Sequence, residues 1–162
     1  MNDSENNLSE NLVNSNGSGI AEQNLQYNFM IQSSTDQITS TIQLFERLLD
    51  DARCCSSQMR SELATALSEA LANAIIHGNK RQATKTVSIK ILITSEHIQL
   101  TINDQGDGFD FKELPNPLNP NNLKKTNGRG VYLMSLLMDK VKFTRKKDGM
   151  EVVLIKLLKN RN

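Results

Sequence analysis

The chain has 162 residues, 38% of them hydrophobic and 23% charged, and a formal net charge of +1, which predicts one domain with a tail. Its two cysteines, Cys54 and Cys55, are adjacent, which excludes a disulfide framework and a zinc-ligand spacing and is typical of a reducing cytoplasm. No apolar stretch reaches the length of a membrane span, and the first residues lack a secretory signal.

The two ends of the chain differ in charge. Residues 1–24 contain seven Asn, four Ser and four acidic residues, with no base and few large apolar side chains. Such a segment cannot bury enough surface to offset the entropy of ordering, so we predict a disordered tail. Residues 112–162 hold twelve Lys or Arg against four Asp or Glu. Because the chain has no Trp and no zinc-finger or RNP-type pattern, a solvated basic surface is the simpler interpretation than a nucleic-acid interface.

The first half of the folded region predicts one strand and two helices. Apolar residues alternate with polar ones over residues 25–31, which indicates a strand. Ser34 or Thr35 can then cap a helix with an apolar stripe. A longer helix begins near Ser57 and stops at Gly78.

The second half predicts two hairpins with a loop and a short helix between them. Alternating runs over residues 87–93 and 98–102 indicate an antiparallel hairpin. Residues 115–128 are rich in Pro, Asn and Lys and have little periodicity, which predicts a long loop or lid. A short apolar helix follows over residues 130–139, and a second hairpin has an Asp-Gly turn at 148–149.

This order of elements predicts an α+β fold. Strands joined mostly by hairpins, with the helices in separate runs, indicate a two-layer sandwich. We expect a mixed, mostly antiparallel sheet that is covered on one face by helices. The predicted domain spans residues 25–160.

A polar stripe runs along the longer helix. Glu69, Asn73 and His77 are spaced four residues apart and lie on one side of a helix that is otherwise apolar almost all round. Burying a carboxylate is costly unless a cation or hydrogen-bond donors compensate its charge. The stripe therefore indicates a metal ion or a ligand, and the alternative is a solvated Glu on a surface helix.

Two glycine clusters flank the predicted lid. Asp104-Gln105-Gly106-Asp107-Gly108 ends a strand, and Gly128-Arg129-Gly130 begins a helix, whose free N–H groups suit an anion such as phosphate. Neither cluster is a P-loop or a GxGxxG motif. The first cluster is not an EF-hand loop either, because its sixth and twelfth positions are Phe and Pro.

Together, these motifs resemble the GHKL ATPase superfamily, which has the Bergerat fold. The resemblance rests on Glu69 and Asn73 on a helix, DxGxG after a strand, a lid, and GxG before a helix, and it covers residues 25–158. Within the superfamily, the run from Ser68 to Gly78 is similar to the anti-sigma factor serine/threonine kinase branch.

The resemblance implies a role for each motif residue in binding ATP and Mg²⁺. Asn73 matches the family's Mg²⁺ ligand, Glu69 matches the general base for the attacking hydroxyl, and Asp104 matches the acceptor for the adenine amino group. Gly106 and Gly108 match the glycines that let adenine lie against the backbone. Gly128 and Gly130 match those that wrap the phosphates, where Arg129 could add positive charge. His77 fits the branch more as a structural or supporting residue than as a catalytic one.

One position departs from the family pattern. Where family members commonly have Gly-Thr in the penultimate strand, this chain has Gly149-Met150, and a thioether replaces a hydroxyl poorly. Either ATP binds more weakly or another hydroxyl substitutes, with Thr101 and Thr144 as candidates.

The resemblance implies a cytoplasmic, ATP-dependent serine/threonine kinase that binds a sigma factor or similar effector and phosphorylates an antagonist protein on serine. A homodimer is expected, without direct nucleic-acid or membrane contact. The alternative is an ATP-sensing or sequestering module without phosphoryl transfer, which Met150 motivates. A sensor histidine kinase fragment is disfavoured because residues 1–24 cannot form the dimerisation helices that such an enzyme needs, and gyrase-type enzymes need a further domain.

Overall fold

The computed structural model describes residues 24–106 and 129–158. The elements in chain order are β1 (Leu25–Gln32), α1 (Asp36–Ala52), α2 (Ser57–Ala72), a π-helix (Asn73–Gly78), β2 (Thr86–Ile93), β3 (His97–Asn103), α3 (Arg129–Leu137), β4 (Lys140–Lys146) and β5 (Gly149–Leu157). The predicted order of strands and helices is therefore confirmed.

The five strands form one sheet in the order β1-β2-β3-β5-β4. All four neighbouring pairs are antiparallel. The central pair, β3 and β5, is not sequential, and it places Leu100 opposite Leu154. The predicted α+β fold with a mostly antiparallel sheet is thus confirmed.

The helices pack on one face of the sheet, where strand alternation collects the large apolar side chains. From Glu62 to Ile76 no residue of the longer helical segment is exposed, so this segment is enclosed almost all round. Its contribution to the core comes from side chains that are fully buried, namely Leu63, Ala66, Leu67, Ala70, Leu71 and Ile75. These residues fix the segment, and with it the polar stripe, against the sheet.

A short connection sets α2 against α1. Arg53 ends α1 in the left-handed conformation, with φ of 48°. The Ser56 hydroxyl then caps α2 by accepting a hydrogen bond from the Met59 N–H at 3.2 Å. At the start of α1 the N-cap is Thr35, whose side chain makes no capping hydrogen bond.

The last part of the longer helix differs from the prediction. The helix does end at Gly78, but residues Asn73–Gly78 are a π-helix rather than a continuation of the α-helix. The Asn79 N–H donates to the Ala74 carbonyl five residues back, at 2.7 Å. Apolar spacing does not distinguish the two conformations over six residues, and π-helical turns are frequent at functional sites.

Several predictions fall outside the described residues. These are the tail up to residue 23, the loop at 115–128, and the glycines Gly108 and Gly128. Within residues 24–106 and 129–158, no helix combines the length and the apolar character that crossing a bilayer requires.

Candidate functional site

Asp104 forms the centre of a buried polar cluster where β3 ends, which we call the Asp104 pocket. The residue is 7% exposed, and its Oδ1 atom accepts hydrogen bonds from the Gly106 N–H at 2.8 Å and from the Met150 N–H at 3.3 Å. Burial raises the pKa of the Asp104 carboxyl above its ordinary value, while these two hydrogen bonds and the charge of Lys85 act in the opposite direction. Among the described residues both donors use Oδ1, so Oδ2 is the oxygen left for a ligand.

Three glycines allow the backbone to close around this carboxylate. A Cβ atom on Gly78 would lie 2.4 Å from the Asp104 Cγ atom, and one on Gly106 would lie 2.1 Å from the Gly78 carbonyl oxygen. Gly149 has φ of +149°, and a Cβ there would lie 1.8 Å from the Asp104 carbonyl oxygen. The end of the π-helix, the end of β3 and the start of β5 therefore meet only because these positions lack side chains.

Asn79 is a residue of this pocket that the sequence analysis missed. Its side chain is fully buried, its Oδ1 accepts from the Gln105 N–H at 2.7 Å, and its Nδ2 donates to the Thr86 carbonyl at 2.9 Å. The available signal was an Asn directly after the glycine that ends a helix, because Asn side chains commonly bond to nearby backbone at such positions. Its two partners are distant in sequence and were not predictable from spacing.

Glu69, Asn73 and Gly130 form a second cluster, where α2 meets the first turn of α3. A Cβ atom on Gly130 would lie 2.4 Å from Glu69 Oε2 and 3.8 Å from Asn73 Nδ2. Glu69 and Asn73 are half-buried, and Arg129 is exposed at the first position of α3. The structure thus brings together the predicted base, the predicted metal ligand and one phosphate-side glycine.

The chemistry of this cluster fits a hydrated metal ion and phosphate. Asn73 Nδ2 is buried without a hydrogen-bond partner among the described residues. A carboxamide that the protein does not satisfy, beside a carboxylate and a helix start, offers the hard oxygen and N–H groups that Mg²⁺ and phosphate bind. No group of three or more His, Cys, Asp or Glu within the described ranges forms a metal site made of protein ligands alone.

His77, the third residue of the stripe, and Glu62, which precedes the stripe on the same helix, behave differently. His77 is exposed, whereas Glu69 and Asn73 are half-buried, so His77 does not join the buried cluster. Glu62 pairs with Lys156 at 2.7 Å and accepts from Gln58 at 3.0 Å, and the bonds from these two side chains hold the pKa of Glu62 below its ordinary value. The charge of Glu62 is therefore neutralised by Lys156 within the protein.

Lys156 also connects to the far end of α3. Its ammonium group donates to the Leu137 carbonyl at 2.6 Å while it pairs with Glu62. Leu137 is the last residue of α3, and the first turn of that helix holds Gly130. Lys156 therefore anchors α3 to α2 at the end opposite the Glu69 cluster.

Met150 occupies the position where the family commonly has Thr. Its backbone N–H bonds Asp104, but its side chain is 1% exposed and belongs to the core. Thr101 pairs with Val153, and Thr144 pairs with Glu151, which by strand alternation puts both hydroxyls on the sheet face away from Met150 and the helices. Neither candidate hydroxyl replaces the missing Thr.

An open groove of about 430 Å³ lies between α1 and α2. Ile38 and Ile42 line it from α1, and Ala64 and Thr65 line it from α2. Glu69 is part of the same lining. A segment of another molecule that enters this groove would reach the carboxylate of Glu69.

Comparison with known proteins gives consistent results. The family described as "Histidine kinase-like ATPase domain" matches residues 31–156. The chain is 33% identical to serine-protein kinase RsbW from Bacillus subtilis (strain 168) over 103 residues, or 60% of this chain and 64% of that protein. It is 31% identical to anti-sigma F factor from Bacillus cereus (strain AH187) over 144 residues, or 87% of this chain and 95% of that protein. The matched segment thus spans just under two thirds of the length of the RsbW relative.

A solved structure supports the fold. The chain matches the structure of the RsbU and RsbW domains of Rv1364c from Mycobacterium tuberculosis with a TM-score of 0.61. The match covers 82% of this chain and 32% of that one, at 11% sequence identity. At this identity the likeness concerns the fold alone.

Proposed function

The chain belongs to the histidine kinase-like ATPase domain family, and we propose that it is an ATP-dependent serine/threonine protein kinase of the anti-sigma factor type. The membership confirms the resemblance seen in the motifs. The observation that carries the kinase proposal is that a Cβ atom on Gly130 would lie 2.4 Å from Glu69 Oε2, so the start of α3 lies beside the proposed base. Asp104 lies against Gly78, at the end of the same helical segment that carries Glu69 and Asn73. Both halves of the proposed nucleotide site thus border one helical segment.

In this proposal the adenine end of ATP binds at Asp104. Oδ2 accepts a hydrogen from the adenine amino group, and Gly106, which lies against the Gly78 backbone, keeps the backbone close to the carboxylate that binds the base. The phosphates lie toward Gly130, and the family resemblance assigns Gly128 and Arg129 to the phosphates as well and Gly108 to the adenine side. Asn73 would hold Mg²⁺, which neutralises phosphate charge when it is bound.

Glu69 is the proposed general base. It accepts the proton of the serine hydroxyl of an antagonist protein, which reaches it through the groove between α1 and α2. Most of the rate gain would come from positioning and charge neutralisation around the transferred phosphoryl group.

The partners are also part of the proposal. Two relatives are named as an anti-sigma F factor and a serine-protein kinase, which favours a sigma factor or similar effector and an antagonist substrate. A homodimer is supported by β1, an eight-residue edge strand without a charged side chain, whereas β4 at the other edge carries several Lys and Arg. We propose a cytoplasmic protein without direct nucleic-acid or membrane contact.

The second candidate function is an ATP-sensing or sequestering module without phosphoryl transfer. Met150 favours it, because its buried thioether offers no hydroxyl to the pocket. The two functions differ in whether phosphate leaves ATP.

Calorimetric titration with a Mg²⁺-bound, non-hydrolysable ATP analogue tests the site. We expect Mg²⁺-dependent binding to the native chain that Asn73→Ala abolishes. Phosphate incorporation from labelled ATP into a purified antagonist protein should then vanish in Glu69→Ala, with nucleotide binding retained, and persist in Glu96→Ala as the control, an exposed Glu outside the groove. Transfer that survives Glu69→Ala removes Glu69 as the base, and binding without any transfer favours the sensing module.

A further inference from the structure

We propose that Asn79 is a positioning residue for recognition of the nucleobase, and that it sets the preference of this site for adenine over guanine. The inference rests on the proposed ATP function and extends it to a residue outside the motifs that led to that function. The observation behind it is a closed set of hydrogen bonds between the end of the π-helix, the start of β2 and the end of β3.

Three hydrogen bonds form this set, which we call the Asn79 clamp. Asn79 Oδ1 accepts from the Gln105 N–H at 2.7 Å, and Asn79 Nδ2 donates to the Thr86 carbonyl at 2.9 Å. The Thr86 N–H in turn donates to Gln105 Oε1 at 2.7 Å. Each of the three residues is therefore bonded to the other two.

The clamp is anchored in the helical segment. The Asn79 side chain is fully buried, and its own N–H bonds the Ala74 carbonyl at 2.7 Å. Truncating the side chain would leave the partly buried Gln105 N–H and Thr86 carbonyl without their partner, which costs free energy. The clamp thus fixes the position of the backbone at Gln105 relative to the π-helix.

Gln105 lies between the two residues that define the pocket. Asp104 precedes it, and the N–H of Gly106, which follows it, is one of the two donors to Asp104 Oδ1. When the backbone at Gln105 shifts, the Gly106 donor and the direction of Asp104 Oδ2 shift together. Asn79 therefore controls the orientation of the carboxylate without touching the base.

The orientation of the Asp104 carboxylate can be tested by comparing the affinities for adenine and guanine nucleotides. Adenine presents an amino hydrogen to an acceptor, whereas guanine presents a carbonyl oxygen at the same ring position, which a carboxylate repels. A well-placed acceptor therefore favours ATP and disfavours GTP, and a poorly placed one loses both effects. The ratio of the two affinities reports the position of Asp104 more directly than either affinity alone.

The test compares Asn79→Ala, Gln105→Ala and the native chain in calorimetric titrations with Mg²⁺-bound ATP and GTP analogues. Asn28→Ala, an exposed Asn on β1, is the matched control. Titrations are done at a temperature where circular dichroism shows every variant to be folded. We expect Asn79→Ala to lower the affinity ratio of ATP to GTP about tenfold or more, Gln105→Ala to lower it less, and Asn28→Ala to leave it unchanged.

The outcomes separate this inference from the proposed function. Native binding of ATP with a ratio that neither variant changes overturns the role of Asn79 and leaves the kinase proposal intact. An equal loss of both affinities also overturns it, because that loss indicates a structural role alone. If Asn79→Ala does not fold, Asn79→Ser, which keeps a polar atom at this buried site, takes its place, because Gln105→Ala leaves both Asn79 hydrogen bonds intact. If the native chain binds neither nucleotide, both proposals fail.

Discussion

At the scale of single residues, Asp104 combines a functional position with a cost in stability. Its carboxylate is nearly buried, and the described structure gives it two backbone donors and no paired cation. Burial outweighs these donors and raises the pKa of Asp104. The folded state therefore binds a proton at Asp104 more tightly than the unfolded chain does, and ionisation of this group lowers the free energy of unfolding.

The first prediction follows from the raised pKa of Asp104, which makes its ionised form destabilising. Asp104→Asn keeps an oxygen for the two N–H donors and removes the buried charge, so the free energy of unfolding at pH 7 should increase while ATP binding is lost. The advantage should shrink as the pH falls through the raised pKa of Asp104 toward the unfolded value, which is about 4. Urea titrations of both proteins at several pH values measure it, with the exposed Glu96→Gln as the control. A variant that is less stable than the native chain at pH 7 would contradict the prediction.

The second prediction contrasts two glycines. In Gly78→Ala the new Cβ meets Asp104 Cγ at 2.4 Å, where two hydrogen bonds hold the carboxylate, so unfolding free energy should fall by about 1–3 kcal/mol and ATP binding should be lost. In Gly130→Ala the Cβ meets only the Oε2 end of Glu69, which can rotate away. Stability should then change little while phosphoryl transfer falls. Denaturant titrations and transfer assays measure both, and equal destabilisation by the two variants would rule out this difference.

At the same scale, the sequence predicted individual site residues better than their surroundings. Glu69, Asn73 and Gly130 carry motif information, and the structure brings them together. Asn79 lacks such a motif, since its partners Thr86 and Gln105 are set by tertiary structure alone. The assignment of catalytic and binding roles to the motif residues stays a prediction until it is measured.

At the scale of elements, α3 is located by contacts at both of its ends. Gly130 lies against Glu69 near the first turn, and Lys156 holds the Leu137 carbonyl at the last turn. Lys156 also neutralises Glu62, and the two side chains are 17% and 23% exposed. The position of α3 relative to α2 therefore depends on one lysine that belongs to a strand.

The third prediction concerns this lysine. Lys156→Met removes the cation that pairs with Glu62 and leaves the Leu137 carbonyl without its side-chain donor, so unfolding free energy should fall by about 1–3 kcal/mol. Lys146→Met removes the more exposed pair with Glu151, which is worth about 0–1 kcal/mol. Urea denaturation of the two variants gives the comparison. If both variants lose the same stability, Lys156 does not anchor α3.

Elements were predicted well where their periodicity is long, and poorly where the local geometry changes. The alternation in β1, β2 and β3 and the apolar stripe of α1 are strong signals, and these elements were predicted with nearly their observed bounds. The π-helix at Asn73–Gly78 was predicted as α-helix, because six residues are too few for a difference of one residue per turn to appear in the pattern.

At the scale of the whole molecule, one apolar layer between the helices and the sheet supports both halves of the site. The sequence predicted this two-layer arrangement, but hairpin signals do not give the order of strands. The pairing of β3 with β5 places β4 at the edge. That pairing brings Met150 to Asp104, and it arises from packing between segments that are distant in sequence.

The fourth prediction tests this layer. Leu67 is fully buried on α2, two residues before Glu69, and Leu67→Ala should lower the free energy of unfolding by about 2–5 kcal/mol. Leu136→Ala removes the same atoms from a helical site that is 60% exposed, and its effect should stay below about 0.5 kcal/mol. Thermal or urea unfolding measures both. A small effect of Leu67→Ala would mean that the layer is not close-packed there.

The π-helix has a consequence for insertions and deletions. A π-helical turn takes up one residue more than an α-helical turn, so a chain shortened by one residue between Asn73 and Gly78 can close this segment as a regular α-helix. Glu69 and Asn73 would keep their places in such a chain. Asn79 would keep its place too, because its N–H would reach the Ala74 carbonyl as an α-helical bond four residues back. A chain of native length that formed a regular α-helix here would instead bring His77 to where Gly78 now lies, against an Asp104 side chain that leaves no room for a Cβ. The surplus residue therefore sets the rotational phase between the two ends of the site, and a regular helix of the same length would put them out of phase.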